Sequence, residues 1–419
     1  MTEKISEHIP TQTTRSDDDS GTSRRQFMSK HKYLLGWVVE THGIAPIPLD
    51  QRLDTRLYEM FFVWFSANMN ILCFVPGSAG PAFFGLGLRE TLVIITLVDI
   101  ITCAVPAFFA VFGPKLGTRA MVLSRFSWGY FGAVIPSVFN VLSAQGWLII
   151  NCIIGGQALA SVYESVAWIP NVVTFIVMLA VGGKHLVLMP APAPVSAAAI
   201  ISYSSTVASS VISWSTMTPD YGVYHSGEAS AYVFLFLEEL PLMKPLIVPH
   251  FLGAAFTASA PAVPSWNIRF EGSNNIGGLI SAVLSPTGGF GKFLTVLVAL
   301  STPSACAPSM YTFGTSLIGY WSFAYVAIVI VEHFVFRRGR FDSYNVEDWD
   351  QPTRLPLGIA ATLAFLCAFG IIIPCMSQAF YRGPIAKAGT GDIGVYTGAA
   401  MAIIIYSALR TIEKKLTKV

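Results

Sequence analysis

From Phe126 to Tyr163 the chain carries no charged residue. At about 1.5 Å of rise per residue, a single helix of that length would overrun the roughly 30 Å hydrocarbon core of a bilayer. The run must therefore hold an interfacial piece followed by a long spanning helix, set at about residues 136–162. Soluble domains carry about 25% charged residues. Here 12% are charged and 53% hydrophobic, with a mean hydropathy of +0.59. The expected fold class is all-α, a polytopic membrane protein, because in lipid every backbone polar group must be satisfied internally.

Further spans are expected at about 58–84, 91–112, 166–183, 195–217, 240–260, 356–380 and 391–409. A long uncharged run from Phe293 to Val331 has room for nearly two more, so the total is about ten. Residues 1–56 are expected to be a disordered cytoplasmic tail, 57–410 the transmembrane domain, and 411–419 a second cytoplasmic tail. Of 26 lysines and arginines, eight precede Tyr58, three lie in 113–127, four between Arg337 and Arg354, and four from Arg410 onward. The positive-inside rule then places both termini in the cytoplasm. The polar N-terminus carries no cleavable signal pattern.

The first expected span has an unusual composition. Phe61 to Pro81 reads FFVWFSANMNILCFVPGSAGP, with Ser66, Asn68 and Asn70 in its first half and Pro76-Gly77-Ser78-Ala79-Gly80-Pro81 in its second. Irregular backbone at membrane depth is tolerated only where protein buries it or it lines a cavity. Interrupted helices of this kind point to the binding site of a transporter, and the break is expected at the Pro/Gly cluster.

Other chemistries find no support. No His/Glu metal spacing, nucleophile elbow or phosphate-cradling loop occurs, so no catalytic residue, metal or cofactor is expected. Cys73, Cys103, Cys152, Cys306, Cys367 and Cys375 all sit in apolar runs without a CxxC pair, the pattern of small packing residues. A net charge of +2 without a basic-aromatic stripe gives no reason to expect nucleic acid.

What remains is polar and aromatic groups inside spans. Trp147 and Asn151, spaced i, i+4, share one helix face. An indole that stacks and an amide that donates and accepts suit a flat polar heterocycle; the plain alternative is an interhelical amide beside a packing tryptophan. Trp214, in Ser213-Trp214-Ser215-Thr216, is a second stacking plane or an interfacial belt residue. Thr302 to Ser309 packs two prolines into a few residues and reads as a second distorted helix or a simple kink. Asp99 is a proton relay or a satisfied structural group, and Glu332-His333, just before Arg337, reads as interfacial.

The motifs FFVWFSANMNIL, FGPKLGTRAMVLSRFSWGYFG, WLIINCIIGGQALASV, AWIPNVV, MTPDYGVYH, GGFGKFLTVLVALS and EHFVFRR resemble the fungal purine-cytosine permease branch of the nucleobase–cation symporter family, over about residues 36–410. The resemblance implies an inverted-repeat (five-plus-five) transporter fold of twelve helices and proton-coupled uptake of cytosine and purines across the plasma membrane. It implies a nucleobase as the bound small molecule, a proton as coupling ion, and a substrate site between helices 1, 3, 6 and 8. By motif, substrate contacts fall on Trp147, Asn151, Trp214, Cys73, Pro308 and Ser309, and the cation region on Met69, Leu72 and Ser304, beside Pro303.

Two departures accompany the resemblance. Where the family carries an asparagine-rich segment in helix 8, this chain has Ala305, Cys306 and Ser309. A site with fewer amides should hold a different heterocycle, or the usual one weakly. Motifs that the family separates by a whole helix also abut at Val162-Tyr163 and Leu317-Ile318, as if helices 4 and 9 were absent. Two readings follow: a proton-coupled nucleobase importer of about ten spans, or a non-transporting product of a mis-spliced or wrongly assembled permease gene.

Overall fold

The structure is a computed structural model. It describes residues 43–56, 58, 64–65, 68–160, 171–227, 246–270, 275–300, 308–378 and 381–417; the side chains of 147–157, 159–160, 171–172, 300 and 308–318 are not part of that description. Residues 46–419 cluster into one compact unit. The described residues are helical, without a β-strand; two isolated bridges, Asp54 with His225 and Ser377 with Arg382, tie loops together.

The helices that matter here are α1 (Phe74–Phe83), α2 (Leu88–Ala110), α3 (Val134–Ala160), α4 (Asn171–Gly182), α5 (Ala197–Ile212), α6 (246–259), α7 (Pro264–Phe270), α8 (Ile276–Leu284), α9 (Gly289–Leu300), α10 (Pro308–Val331), α11 (Ile359–Cys375) and α12 (Gly394–Thr417). Among the described residues, three helices are long and apolar enough to cross a bilayer: Leu88–Leu116, Gly319–Phe336 and Gly394–Thr417. A fourth results if Leu246–Ala262 and Pro264–Phe270, bent by 112°, count as one span. Five more apolar helices are shorter, Ile359–Cys375 among them.

Burial separates inner from outer helices. α10 is buried on all sides from Gly319 to Val329 and packs on α3, α5, α11 and α12. A helix that is apolar and buried all round belongs at the centre. α2 leaves Val93, Leu97, Ile100 and Ile101 exposed, and α3 leaves Val134, Val138, Val141 and Leu142 exposed. Each set follows i, i+4, i+7, i+8 spacing, so each is one continuous apolar stripe. A water-soluble surface rarely shows such patches; lipid accommodates them.

The end of α10 is held to α12 by buried ion pairs. Glu332, with its side chain almost wholly enclosed, accepts from Tyr406 Oη at 2.9 Å, Arg337 Nε at 3.1 Å and Arg410 Nε at 3.3 Å. Arg410 also donates to Glu413, whose other oxygen accepts from the amide of Ile359 at the start of α11. Glu332 and His333, placed at the interface by sequence, are thus enclosed by protein at the end of α10.

The first span differs from expectation in where it breaks. Pro76 to Pro81 lie within the regular helix α1, and the irregular backbone lies before it, at Met69-Asn70. There Asn70 takes an extended conformation, and its Oδ1 accepts from the amide of Cys73 at 3.1 Å, capping the 3-10 turn Ile71–Cys73 that leads into α1. Asparagine is a strong cap because its side chain satisfies an orphan amide. Pro76 sits in the first turn, where a missing N–H matters least.

The glycines of the cluster serve close packing. A Cβ on Gly77 would lie 1.8 Å from the carbonyl oxygen of His250, and one on Gly253 would lie 1.9 Å from that of Phe74. α1 and α6 therefore meet backbone to backbone, with Thr257 Oγ1 donating to Ser78 Oγ at 2.9 Å beside the contact. Small residues and interhelical hydroxyls are the usual means of close helix contact in a membrane.

Candidate functional site

The capped break brings α1 to the end of α5. α5 passes into the 3-10 turn Ser213–Thr216, which carries Trp214, and then into the short helix Thr218–Gly222. Trp64, Cys73, Cys103, Val211 and Leu246 are buried together, and half-buried Trp214 packs against them. Two of the expected substrate contacts, Cys73 and Trp214, thus belong to one cluster.

Trp64 is the residue that the sequence reading missed. Its ring meets Trp214 edge to face at a centroid distance of 5.3 Å and Tyr221 at 5.1 Å. Asn68, fully buried, donates from Nδ2 to the carbonyl of Trp64 at 3.1 Å, and Cys73 Sγ lies 3.9 Å from Asn68 Oδ1. A signal existed: Trp64 and Asn68 repeat the i, i+4 spacing that drew attention to Trp147 and Asn151.

α3 reaches the same place. Thr216, two residues after Trp214, donates from Oγ1 to Asn140 Oδ1 at 3.0 Å, and Trp321 on α10 donates from Nε1 to Ser143 Oγ at 2.6 Å. Trp147 and Asn151 occupy helical positions further along α3; their side chains lie outside the described residues. So do those of Pro308 and Ser309 at the start of α10, and the whole of Ser304. Met69 and Leu72 are half-buried and pack against a separate apolar cluster that includes Ile71, Phe74, Phe256, Leu294 and Val298.

One ionic feature borders the site. Asp99 lies one turn before Cys103 on α2, and His250 one turn after Leu246 on α6. His250 Nδ1 is 2.9 Å from Asp99 Oδ2, and both side chains are 0% exposed. The sequence offered Asp99 as relay or structural group without a partner. Among the described residues no three His, Cys, Asp or Glu side chains gather as a metal site. A cavity of about 440 Å³ bounded by His185, Trp266 and Arg269 lies among α4, α7 and α8 and touches none of the expected site residues.

Residues 46–191 match the family model described as "Permease for cytosine/purines, uracil, thiamine, allantoin". The purine-cytosine permease FCY21 of Saccharomyces cerevisiae is 32% identical, with 91% of this chain and 88% of the relative aligned. The chain belongs to the nucleobase–cation symporter family, in its fungal purine-cytosine permease branch. It is a multi-pass membrane transporter and not an enzyme.

Other members extend the comparison. The purine-cytosine permease fcyB of Emericella nidulans is 30% identical over 90% of this chain and 89% of the relative. The vitamin B6 transporter TPN1 of Saccharomyces cerevisiae is 23% identical over 93% of this chain and 90% of the relative. The solved structure of Mhp1 in its inward-facing conformation aligns with a TM-score of 0.55 and 15% identity, covering 90% of this chain and 95% of that one. This likeness supports the shared transporter fold.

This chain is also internally shorter than FCY21. Their alignment runs over 465 positions, more than the 419 residues present here, although it takes in only 91% of this chain. The relative therefore carries segments, inside the aligned range, with no counterpart in this chain. Of the two junctions where helices were expected to be absent, Val162-Tyr163 lies outside the described residues, whereas Leu317-Ile318 falls inside α10, whose backbone continues through it without a loop.

Proposed function

We propose that this protein is a secondary active transporter that imports purine bases, cytosine or a related heterocycle with protons, by alternating access, at the plasma membrane. The observation that carries the reading is the joining of Cys73 on the interrupted first span and Trp214 at the end of α5 in one cluster. That cluster sits in a chain 30–32% identical to purine-cytosine permeases. The indoles of Trp214 and Trp147 would bracket a planar base, and the Asn151 amide would read its polar edge. Cys73, Pro308 and Ser309 would complete the pocket, with Met69, Leu72 and Ser304 in the cation region. Stacking on an aromatic face is sequence-tolerant, since every base has a π-face, so the amides set the choice of base.

Ala305 and Cys306 stand where an asparagine-rich segment was expected, which favours a heterocycle needing fewer amide contacts. Each polar edge left unpaired in a buried site costs about 1–3 kcal/mol. The inverted repeat, about ten spans and cytoplasmic termini, with tails over 1–56 and 411–419, complete the reading. Uptake of radiolabelled cytosine, adenine and hypoxanthine by cells lacking their own permeases tests it. Saturable uptake that rises as external pH falls supports the reading, and absence of saturable uptake for all three sinks it.

A further inference from the structure

The Asp99–His250 pair is the least expected ionic feature of the molecule. α2 carries Asp99 within an apolar span, and α6 carries His250 beside the contact with Gly77. Both side chains are fully enclosed, and only one oxygen and one nitrogen are used in the 2.9 Å contact. Among the described residues, Asp99 Oδ1 and His250 Nε2 are buried without a hydrogen-bond partner. A buried structural ion pair is normally retained with its remaining donors and acceptors satisfied. Here the two atoms that would take or release a proton are the two left open.

Among the described residues, the elements around the pair supply no other charge. The 3-10 turn before α1 offers the thiol of Cys73, α1 itself has no titratable residue, and α2 adds Cys103 one turn away. α5 has no charged residue and one phenol, Tyr203; α6 has none besides His250. The turn Ser213–Thr216 carries no titratable side chain. On the following short helix, Asp220 accepts from the amide of Ala120, beyond the C-terminal end of α2, and the Tyr221 ring meets Trp64 of the cluster. Arg89 and Glu90 lie at the start of α2, more than two turns from Asp99.

We propose that Asp99 and His250 form the proton-binding pair of this transporter, carrying one proton per cycle on His250 Nε2. This rests on the importer reading above and adds the residues that couple it. With Nδ1 donating to the ionised Asp99, Nε2 is a bare acceptor. Adding one proton there converts a carboxylate–imidazole pair of net charge −1 into a carboxylate–imidazolium pair of net charge zero; no bond other than N–H forms or breaks. A net charge sealed in an apolar bundle is unfavourable. The neutral pair is therefore compatible with the closed contact of α1 on α6, and the deprotonated pair favours a state in which water reaches it.

That contact leads to the substrate cluster. His250 lies against Gly77 of α1, which continues directly from the turn that carries Cys73, and Leu246 and Cys103, each one turn from the pair, belong to the cluster that holds Trp64 and Trp214. Protonation thereby biases the helix that carries the first wall of the pocket. The chemistry is separate from the region of Met69 and Leu72, which packs in an apolar cluster.

The test uses the full chain in permease-deficient cells and, purified, in detergent. Uptake of radiolabelled cytosine, adenine or hypoxanthine is measured from pH 5 to pH 8, and binding of the same base by tryptophan quenching. For Asp99→Asn and His250→Gln the expected result is a flat pH profile and loss of accumulation above the external concentration, with base affinity changed no more than about threefold. The exchanged variant Asp99→His with His250→Asp keeps both groups, and restores a pH-dependent profile. Single variants that keep the wild-type pH profile overturn the pair while the importer reading stands, as does an exchanged variant that binds base with a flat profile. A wild-type chain that takes up base without pH dependence overturns both the pair and proton coupling. A wild-type chain that takes up no base overturns the importer reading, and the pair falls with it.

Discussion

Gly77 of α1 lies directly against the backbone carbonyl of His250 on α6; a methyl group on Gly77 would come within 1.8 Å of that oxygen. The cluster of prolines and glycines in the first span therefore fixes how close two helices come. Gly77→Ala or Gly253→Ala must push α1 from α6, because in both cases the obstructing atom is backbone. Overpacking of this kind typically costs about 1–3 kcal/mol. A fall in thermal midpoint of the purified protein is expected for each substitution, with a smaller change for Gly370→Ala, where nothing lies near. Equal melting of all three would mean that α1 and α6 are not in backbone contact.

The substrate cluster makes a graded prediction. Trp214→Phe keeps a stacking face and should weaken base binding only modestly. Trp214→Ala removes it and should weaken binding by roughly 5- to 150-fold, the equivalent of about 1–3 kcal/mol per stacked base. Trp64 is fully buried and meets Trp214 edge to face, so Trp64→Ala should lower both stability and affinity. Equilibrium binding of a radiolabelled base to the purified variants measures the series; unchanged affinity in Trp214→Ala would take that residue out of the site.

How much of this was legible in the sequence depended on the range of the interaction. Apolar runs and the polar interruption of the first span are local patterns; the structure shows helices along the described parts of those runs and an interrupted first span. The position of the interruption was misjudged. Proline and glycine weaken a helix by propensity, but here tertiary contacts with α6 and Thr91 need the glycines, while Asn70 supplies the cap that ends the irregular stretch. Asp99 was visible; its partner was not, because His250 lies 151 residues away in a stretch without a motif of its own. Glu332 was likewise visible, but its enclosure by Tyr406 and Arg410 depends on packing of α10 against α12.

The Glu332 network should behave as a buried charge cluster. Arg410→Met leaves Glu332 with Arg337 and Tyr406, and Glu413 with the Ile359 amide but no cation. Breaking a buried pair from one side costs about 3–5 kcal/mol, whereas replacing both partners with well-packed apolar residues is often neutral. Thermal unfolding of Arg410→Met, Glu332→Gln and the double variant measures this. The double variant should lose less than the sum of the singles, and strict additivity would contradict the pairing.

Asp220 gives a pH-dependent prediction on the loop side. Burial pushes its carboxyl above the usual range, although the amide of Ala120 donates to it and Arg119 acts in the opposite direction. A carboxyl raised in the folded state favours folding when protonated, and that contribution is lost as pH rises through its folded value. Asp220→Asn keeps an acceptor for Ala120 and removes the charge, so its stability relative to wild type should improve as pH rises from acid to neutral. Asp220→Ala, which orphans the amide, should lose about 1–3 kcal/mol at neutral pH. Melting curves across that range decide; a stability difference between Asp220→Asn and wild type that is independent of pH would show that the carboxyl is not perturbed.

Movement of nucleobases by this family member is open to direct measurement. Uptake of radiolabelled cytosine, adenine and hypoxanthine into permease-deficient cells, with the chain verified at the cell surface, tests it most directly. Saturable uptake of at least one base is expected, stronger at acidic external pH and competed by the unlabelled compound. No saturable uptake of any of the three at acidic pH would contradict it.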